Sequence, residues 1–420
     1  MVAAIGQAQY LETVVDLGRN AHGLLWNPVS NKVYTSNSDN TVSIIDGATN
    51  TLIATVDVPD YPGALAWNPH TNKVYCACVD DRRLVAIDGE TNAITANIAL
   101  PGCPSQAAFS RTSNKLYVGD DDGRVTVVDG RADTVLRTVR LQQNGDLLMV
   151  WHPTTNRLLC SSAFDTLLAL DCAGDTLVAR VPTGSPGGGY IWCVQYNPAS
   201  GFVYVGGWRG VLALTPACDS VVARVPGYVY RLCAVPLPDK LYLDRWHDQF
   251  RIGILDCGSH TVLDSILLCQ GPMVCDPVSG KVYVSYLGLH DSLGVIDARA
   301  DTAIAMIPCS GAGNDVCWNA TNSRAYFATN SHLVYVVRDT ATAVAEPQVQ
   351  AVSRRPSTTS VVPVGSEWAS AETGCLLDPC GRRVAEVRQG LNLLCGLPAG
   401  VYVAVTPDGR VSARLMVVRR

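Results

Sequence analysis

The chain has 420 residues, of which 48% are hydrophobic and only 16% charged, with a net charge of −5. That balance excludes a disordered chain and gives no electrostatic reason to expect DNA, RNA or anionic lipid as a partner. No run approaches the roughly 18 apolar residues a membrane-crossing helix needs, so no transmembrane segment is expected, and the length suits one large repeat domain plus a small one.

The chain opens on VAAI followed by Gly6-Gln7-Ala8. This is the pattern of the end of a secretory signal, an apolar scrap and then a small-x-small cleavage site. The apolar part is short and no basic residue precedes it, so residues 1–9 are read as a signal remnant or a disordered end.

The repeating text begins at Trp26. WNPVSNKVYTSNSDNTVSIIDGATNTLIATVDV holds three β-branched runs of period two, KVYTS, TVSIID and LIATVDV, each bounded by Asn, Asp, Gly, Ser or Pro. The reading is strand, turn, strand, turn, strand. The same text returns from Trp67 and can be followed by an aromatic landmark in the second strand. The landmarks are Tyr34, Tyr75, Tyr117, Leu159 in place of a tyrosine, then Tyr204, Tyr242, Tyr283 and Tyr326. Ahead of most landmarks stands a turn pair, Asn27-Pro28, Asn68-Pro69, His152-Pro153, Asn197-Pro198 or Asp276-Pro277, in which an acceptor side chain precedes a fixed φ. The third strand usually ends in an aspartate (Asp46, Asp88, Asp129, Asp171, Asp256, Asp297), placed to cap the next turn rather than to catalyse.

A period near 42 residues with four strands per unit is what a β-propeller blade requires. The expected fold is therefore all-β, a propeller of eight blades over residues 10–349, or seven if the divergent repeat at 231–256 is not a full blade. The last repeat offers only VAEPQV as its fourth strand, and Pro347 removes a ladder donor there. The segment LETVVDL at 11–17 matches a fourth strand without a blade of its own, so it is expected to close the ring, which also removes exposed sheet edges.

NPVSNKVY, NPHTNKVY and NTVSIID resemble the YVTN family of propeller repeats. That resemblance implies the architecture but not a function, because the family includes binding proteins, surface proteins and relatives of lactone-processing enzymes. Later repeats depart from it: LPDKLYL lacks the Asn and Trp318-Asn319-Ala320 lacks the Pro. Residues 350–367, rich in Ser, Thr, Pro and Arg, read as a linker with room for one strand. Beyond it LLDPCGRRVAEV, LNLL, GVYVAV and VSARLMVV read as short strands of a small β-sandwich-like domain at 368–420. Asp378-Pro379-Cys380-Gly381-Arg382-Arg383-Val384, Leu397-Pro398-Ala399-Gly400-Val401-Tyr402-Val403 and the closing VSARLMVVRR resemble the C-terminal sorting domain of proteins exported by the type IX secretion system. That resemblance implies secretion, or attachment to the outer surface of a bacterial cell, through contact with the export machinery.

Sixteen cysteines form no CxxC pairs. They read as small buried hydrophobes in strands, with a partial disulfide set as the rival.

Candidate chemistry lies in the loops between second and third strands. The later ones collect aromatic and basic residues, of which Trp208, Arg209, Arg245 and Trp246 suit a carboxylate or a sugar face by bidentate hydrogen bonding and stacking. His247, His290 and His332, on adjacent repeats, are the candidates for a catalytic base at the channel mouth. No metal site is expected: Asp120-Asp121-Asp122-Gly123 has calcium-loop composition without the spaced further ligands, and a hairpin turn accounts for it. The glycine run after Ser185-Pro186 has no following helix with which to hold phosphate, and no cofactor is expected. The leading expectation is an exported or cell-surface, non-catalytic propeller that binds a protein, glycan or small ligand. The alternatives are a lactonase-like hydrolase or lyase at the channel mouth, and an intracellular interaction scaffold.

Overall fold

The computed structural model describes residues 9–340, apart from 143–144, 146, 162–165, 184–190, 246–250, 269 and 286–291, and the backbone of strands between 360 and 418. The repeats form eight four-stranded antiparallel sheets, here called blades 1 to 8 with strands A to D from the centre outward. Strands A run Ala21–Asn27, Pro62–Asn68, Pro104–Ser110, Met149–His152, Ile191–Tyr196, Arg231–Val235, Met273–Asp276 and Gly313–Asn319. Each strand A touches the strand A of the blades on either side, all the way round the ring. The divergent repeat at 231–256 is a complete blade 6, with strands Arg231–Val235, Lys240–Asp244, Arg251–Asp256 and Thr261–Leu267, which settles the count at eight.

Blade 8 takes its outer strand from the other end of the chain. Gln9–Asp16 pairs antiparallel with Leu333–Asp339, as the LETVVDL match predicts. Arg324 Nε and Nη2 donate to the two oxygens of Glu12 at 2.5 and 2.7 Å, and Arg338 adds a third contact at 3.1 Å. These bonds hold the Glu12 carboxyl below its ordinary range, with the Arg324 hydrogen bond the largest cause.

Period-two alternation splits each strand between two interfaces. In Lys73–Cys78, Val74, Cys76 and Cys78 pack with blade 1 around Tyr34 and Ile44. Tyr75 and Ala77 of the same strand pack with blade 3 around Leu116 and Val118. Strands buried on both faces read as near-continuous apolar runs, and each fully buried Val, Leu or Ile contributes about 1.5–3 kcal/mol. Cys76, Cys78, Cys160, Cys172, Cys218, Cys233 and Cys257 are buried free thiols, which fits the hydrophobe reading. Burial pushes Cys233 up to about 12.

The landmark tyrosines are fully buried, and most of their hydroxyls cross to the next blade. Tyr75 OH donates to Asp133 Oδ1 at 2.6 Å, Tyr117 to Asp175 at 2.8 Å, Tyr242 to Asp301 at 2.8 Å and Tyr326 to Asn50 at 2.6 Å. The lysine two residues before the tyrosine reaches the same turn: Lys73 to Asp133, Lys115 to Asp175 and Lys240 to Asp301. Asn50, Asp133, Asp175 and Asp301 all have φ between 53° and 58°, a left-handed conformation that Asn and Asp tolerate best among residues with a side chain. One turn position thus supplies both the backbone conformation and the polar group for the neighbouring blade. Where Leu159 replaces the tyrosine, the matching left-handed residue is Cys218, and the two share one apolar cluster.

The strand-ending aspartates cap their turns. Asp46 Oδ1 accepts from the amides of Ala48 and Thr49 at 2.9 and 2.8 Å, and Asp88, Asp129, Asp171, Asp256 and Asp297 accept likewise. Asn27, Asn68, Asn197 and Asp276, buried at the A–B turns, accept from the amide two residues on.

The C-terminal residues form a five-stranded sheet in the order Ser360–Pro363, Val411–Val418, Gly400–Val405, Gly374–Leu377, Arg383–Val387, and a two-stranded ladder of Glu367–Ser370 with Gly390–Leu393. Its first strand lies inside the stretch read as linker and pairs parallel with Val411–Val418. It is an edge strand, the place where Pro363 is tolerated.

Candidate functional site

Five inner strands start with a register shift against strand B. A bulge leaves a residue unpaired and re-aims its side chain. In blade 5 the shift falls between Ile191 and Cys193, and the residue released is Trp192. Its ring lies 5.8 Å from Trp208 in the B–C turn of the same blade, and 6.1 and 5.5 Å from Tyr228 and Tyr230 in the connection to blade 6. Trp208 and Tyr228 are 4.8 Å apart. Trp208 is 50% and Tyr230 38% exposed, so the cluster opens on the face that carries the D–A and B–C loops.

Cationic groups surround these rings. The Arg231 guanidinium lies 4.7 Å over the Tyr230 ring, and its Nη1 is 3.3 Å from Asp244 Oδ2. Arg245 Nη2 reaches Pro226 O at 3.5 Å. A cavity of about 250 Å³ opens beside Trp208, lined among others by Arg209, Arg224, Thr183 and Pro226. Its wall depends on Gly210, whose φ is +118° and where a Cβ would stand 1.8 Å from Val225 O. Only glycine closes this two-residue turn, which fixes Trp208 and Arg209 at its tip.

Asp244 is 1% exposed, and its Oδ1 has no hydrogen-bond partner. Burial pushes its carboxyl up to about 6, against the opposing pull of Arg231. Across the inner ring, Asp315 Oδ2 accepts from Leu24 N at 2.8 Å and is likewise pushed up to about 6 by burial. Raising a carboxyl in the folded state makes ionisation work against folding. The penalty is absent below about pH 4, grows as pH rises towards 6 and is complete above it. Asp244→Asn is therefore expected to be more stable than the parent at pH 7.5, by about 2–3 kcal/mol, and no more stable at pH 4. Urea unfolding at the two pH values checks this; an advantage of the same size at both would refute it.

Of the sequence-predicted residues, Trp208, Arg209 and Arg245 lie on this face around residues 226–231. Trp246, His247 and His290 lie outside the described residues. His332 has φ +59°; its backbone oxygen accepts from Leu17 N, and its Nε2 lies 3.9 Å from Asp16 Oδ1, which directs the ring to the outer strand of blade 8. Asp120 Oδ1 accepts from the amides of Asp122 and Arg124, and its Oδ2 from Arg124 Nε at 2.8 Å, the hydrogen bonding of a hairpin turn. Trp192, Tyr228, Tyr230, Arg231 and Asp244 were not expected from the sequence. A count of aromatic residues on both sides of blade 5, not only in its B–C loop, would have pointed to the first three.

The ring and its loop face define an eight-bladed β-propeller. Solved structures of similar shape include Sqt1 of Saccharomyces cerevisiae (TM-score 0.67, 11% identity, covering 78% of this chain and 98% of that one). Others are BamB from Moraxella catarrhalis (0.65, 12%, 79% and 99%) and the dihydro-heme d1 dehydrogenase NirN in complex with DHE (0.64, 17%, 76% and 72%). At these identities the likeness concerns the fold alone. No family model and no curated protein matches the sequence.

Proposed function

We propose that this chain is a non-catalytic binding propeller, exported to or held at the outer surface of a bacterial cell. It presents the aromatic and arginine-bearing face of blades 5 and 6 to a glycan or another small polar ligand, and residues 368–420 serve export or attachment. One observation carries the binding reading: two aromatic rings, Trp208 and Tyr230, stand exposed over two more, Trp192 and Tyr228. Large exposed aromatic clusters rimmed by polar groups mark binding surfaces. The sorting-like text of the C-terminal segment supports the export reading.

Full-length protein and a Trp208→Ala/Tyr230→Ala variant, probed on glycan and peptide arrays, test the site. The parent is expected to retain a distinct ligand set with at least tenfold more signal than the variant. Identical profiles would refute the site. Fractionation of the native cells tests the location, and intact protein confined to the cytoplasm would refute export.

A further inference from the structure

We infer that the cavity beside Trp208 takes a single pyranose ring bearing a carboxylate, so that the ligand of the face proposed above is an acidic saccharide. This rests on that reading of the face and names its chemical class.

At about 250 Å³ the cavity falls below the 300–1,000 Å³ usual for drug-sized ligands, and one sugar ring is the size that suits it. The Trp208 ring at its mouth offers a flat apolar surface, half exposed. The C–H face of a pyranose packs on such a ring, whose π-face is electron-rich.

The charge around the cavity selects the acid. Arg209 and Arg224 both line it. Arg224 Nη1 donates to Thr183 O at 2.5 Å, an anchor that uses one of the five donors of a guanidinium and fixes the plane of the rest. Among the described residues no carboxylate side chain lines it, and Asp244 nearby is buried and faces Arg231. In a chain of net charge −5, a cavity lined by two arginines complements a carboxylate, which guanidinium groups bind in bidentate fashion. A peptide with a free C-terminus would offer the same anion, but it lacks the rigid ring that a one-ring cavity beside an exposed indole favours.

Calorimetry on the full-length protein at pH 7 tests the inference with oligosaccharides of a hexuronate and of a sialic acid, each beside its methyl ester. The ester keeps the ring and removes the charge. At least one acid form is expected to bind ten times more tightly than its ester or better. Arg209→Gln/Arg224→Gln should abolish that difference, and Trp208→Ala should weaken both forms, with thermal midpoints unchanged. Acid and ester binding equally, with Trp208→Ala weakening both, would overturn the acid preference and leave the binding face standing. Binding of no saccharide, with a free-carboxylate peptide captured in a Trp208-dependent way, would overturn the saccharide and keep the face. If Trp208→Ala changed nothing for any ligand, both would fall.

Discussion

Asp339→Ala is expected to destabilise the propeller by about 3–5 kcal/mol, the range for removing one partner of a buried ion pair. The Asp339 side chain is fully buried and that of Lys281 is 8% exposed. Lys281 Nζ lies 2.8 Å from both carboxylate oxygens, Tyr283 OH donates at 2.8 Å, and Gln9 Nε2 at 3.0 Å. Blades 3, 4 and 7 place the acid for this contact in a C–D turn, at Asp133, Asp175 and Asp301. Blade 8 has no such turn, because its strand D arrives from residues 9–16, and Asp339 at the end of strand C stands in for it. Its loss strands a buried ammonium and removes an acceptor from the closing strand together. The expected signature in urea unfolding is a coupling: Asp339→Ala/Lys281→Met should recover most of the loss, since an apolar isostere leaves no charge without a partner. If the double variant proved as unstable as Asp339→Ala alone, the desolvated lysine would not be the cause.

The architecture was readable because a blade states itself in local terms. Alternation marks strands, Asn-Pro and Asp-Gly mark turns, and a tyrosine every 42 residues or so marks the period. The matching text of 11–17 even placed the closing strand, since an outer strand has one exposed face and keeps a recognisable pattern (Leu11 and Val14 are exposed, Val15 buried). Contacts between blades were less legible. Lys73 meets Asp133 and Lys115 meets Asp175, each 60 residues apart, which is one period plus the path from strand B to the next turn. A constant offset of that kind is visible in a sequence only to a reader who asks for it. The candidate face was half legible. Trp208 and Arg209 stand in a short loop, whereas Trp192 reaches them through a bulge that no periodicity announces. Arg231 and Asp244 meet only because strands A and B of blade 6 pair in that register.

Removing residues 1–17 is expected to abolish the closed monomer and leave a chain that aggregates. The deletion uncovers the edge of Leu333–Asp339, and an unpaired strand edge recruits other chains. It also takes Val15 and Leu17 out of the blade 8 core, about 1.5–3 kcal/mol each. Arg324, whose side chain is 6% exposed, loses Glu12, and Asp339 loses Gln9. Repeat proteins draw their stability from nearest-neighbour interfaces, so the damage falls on both seams of the last blade: Tyr326 and Arg324 bond to blade 1 through Asn50 and Gly47, and Lys281 and Tyr283 of blade 7 bond to Asp339 of blade 8. The nine-residue peptide QYLETVVDL supplied in trans should restore a monomer by size-exclusion chromatography, because it carries Gln9, Glu12, Val15 and Leu17 with their contacts. The same peptide with Glu12→Lys should not, since it sets a third cation against Arg324 and Arg338. A truncated chain that stayed monomeric with an unchanged unfolding midpoint would mean that the ring holds without its closing strand.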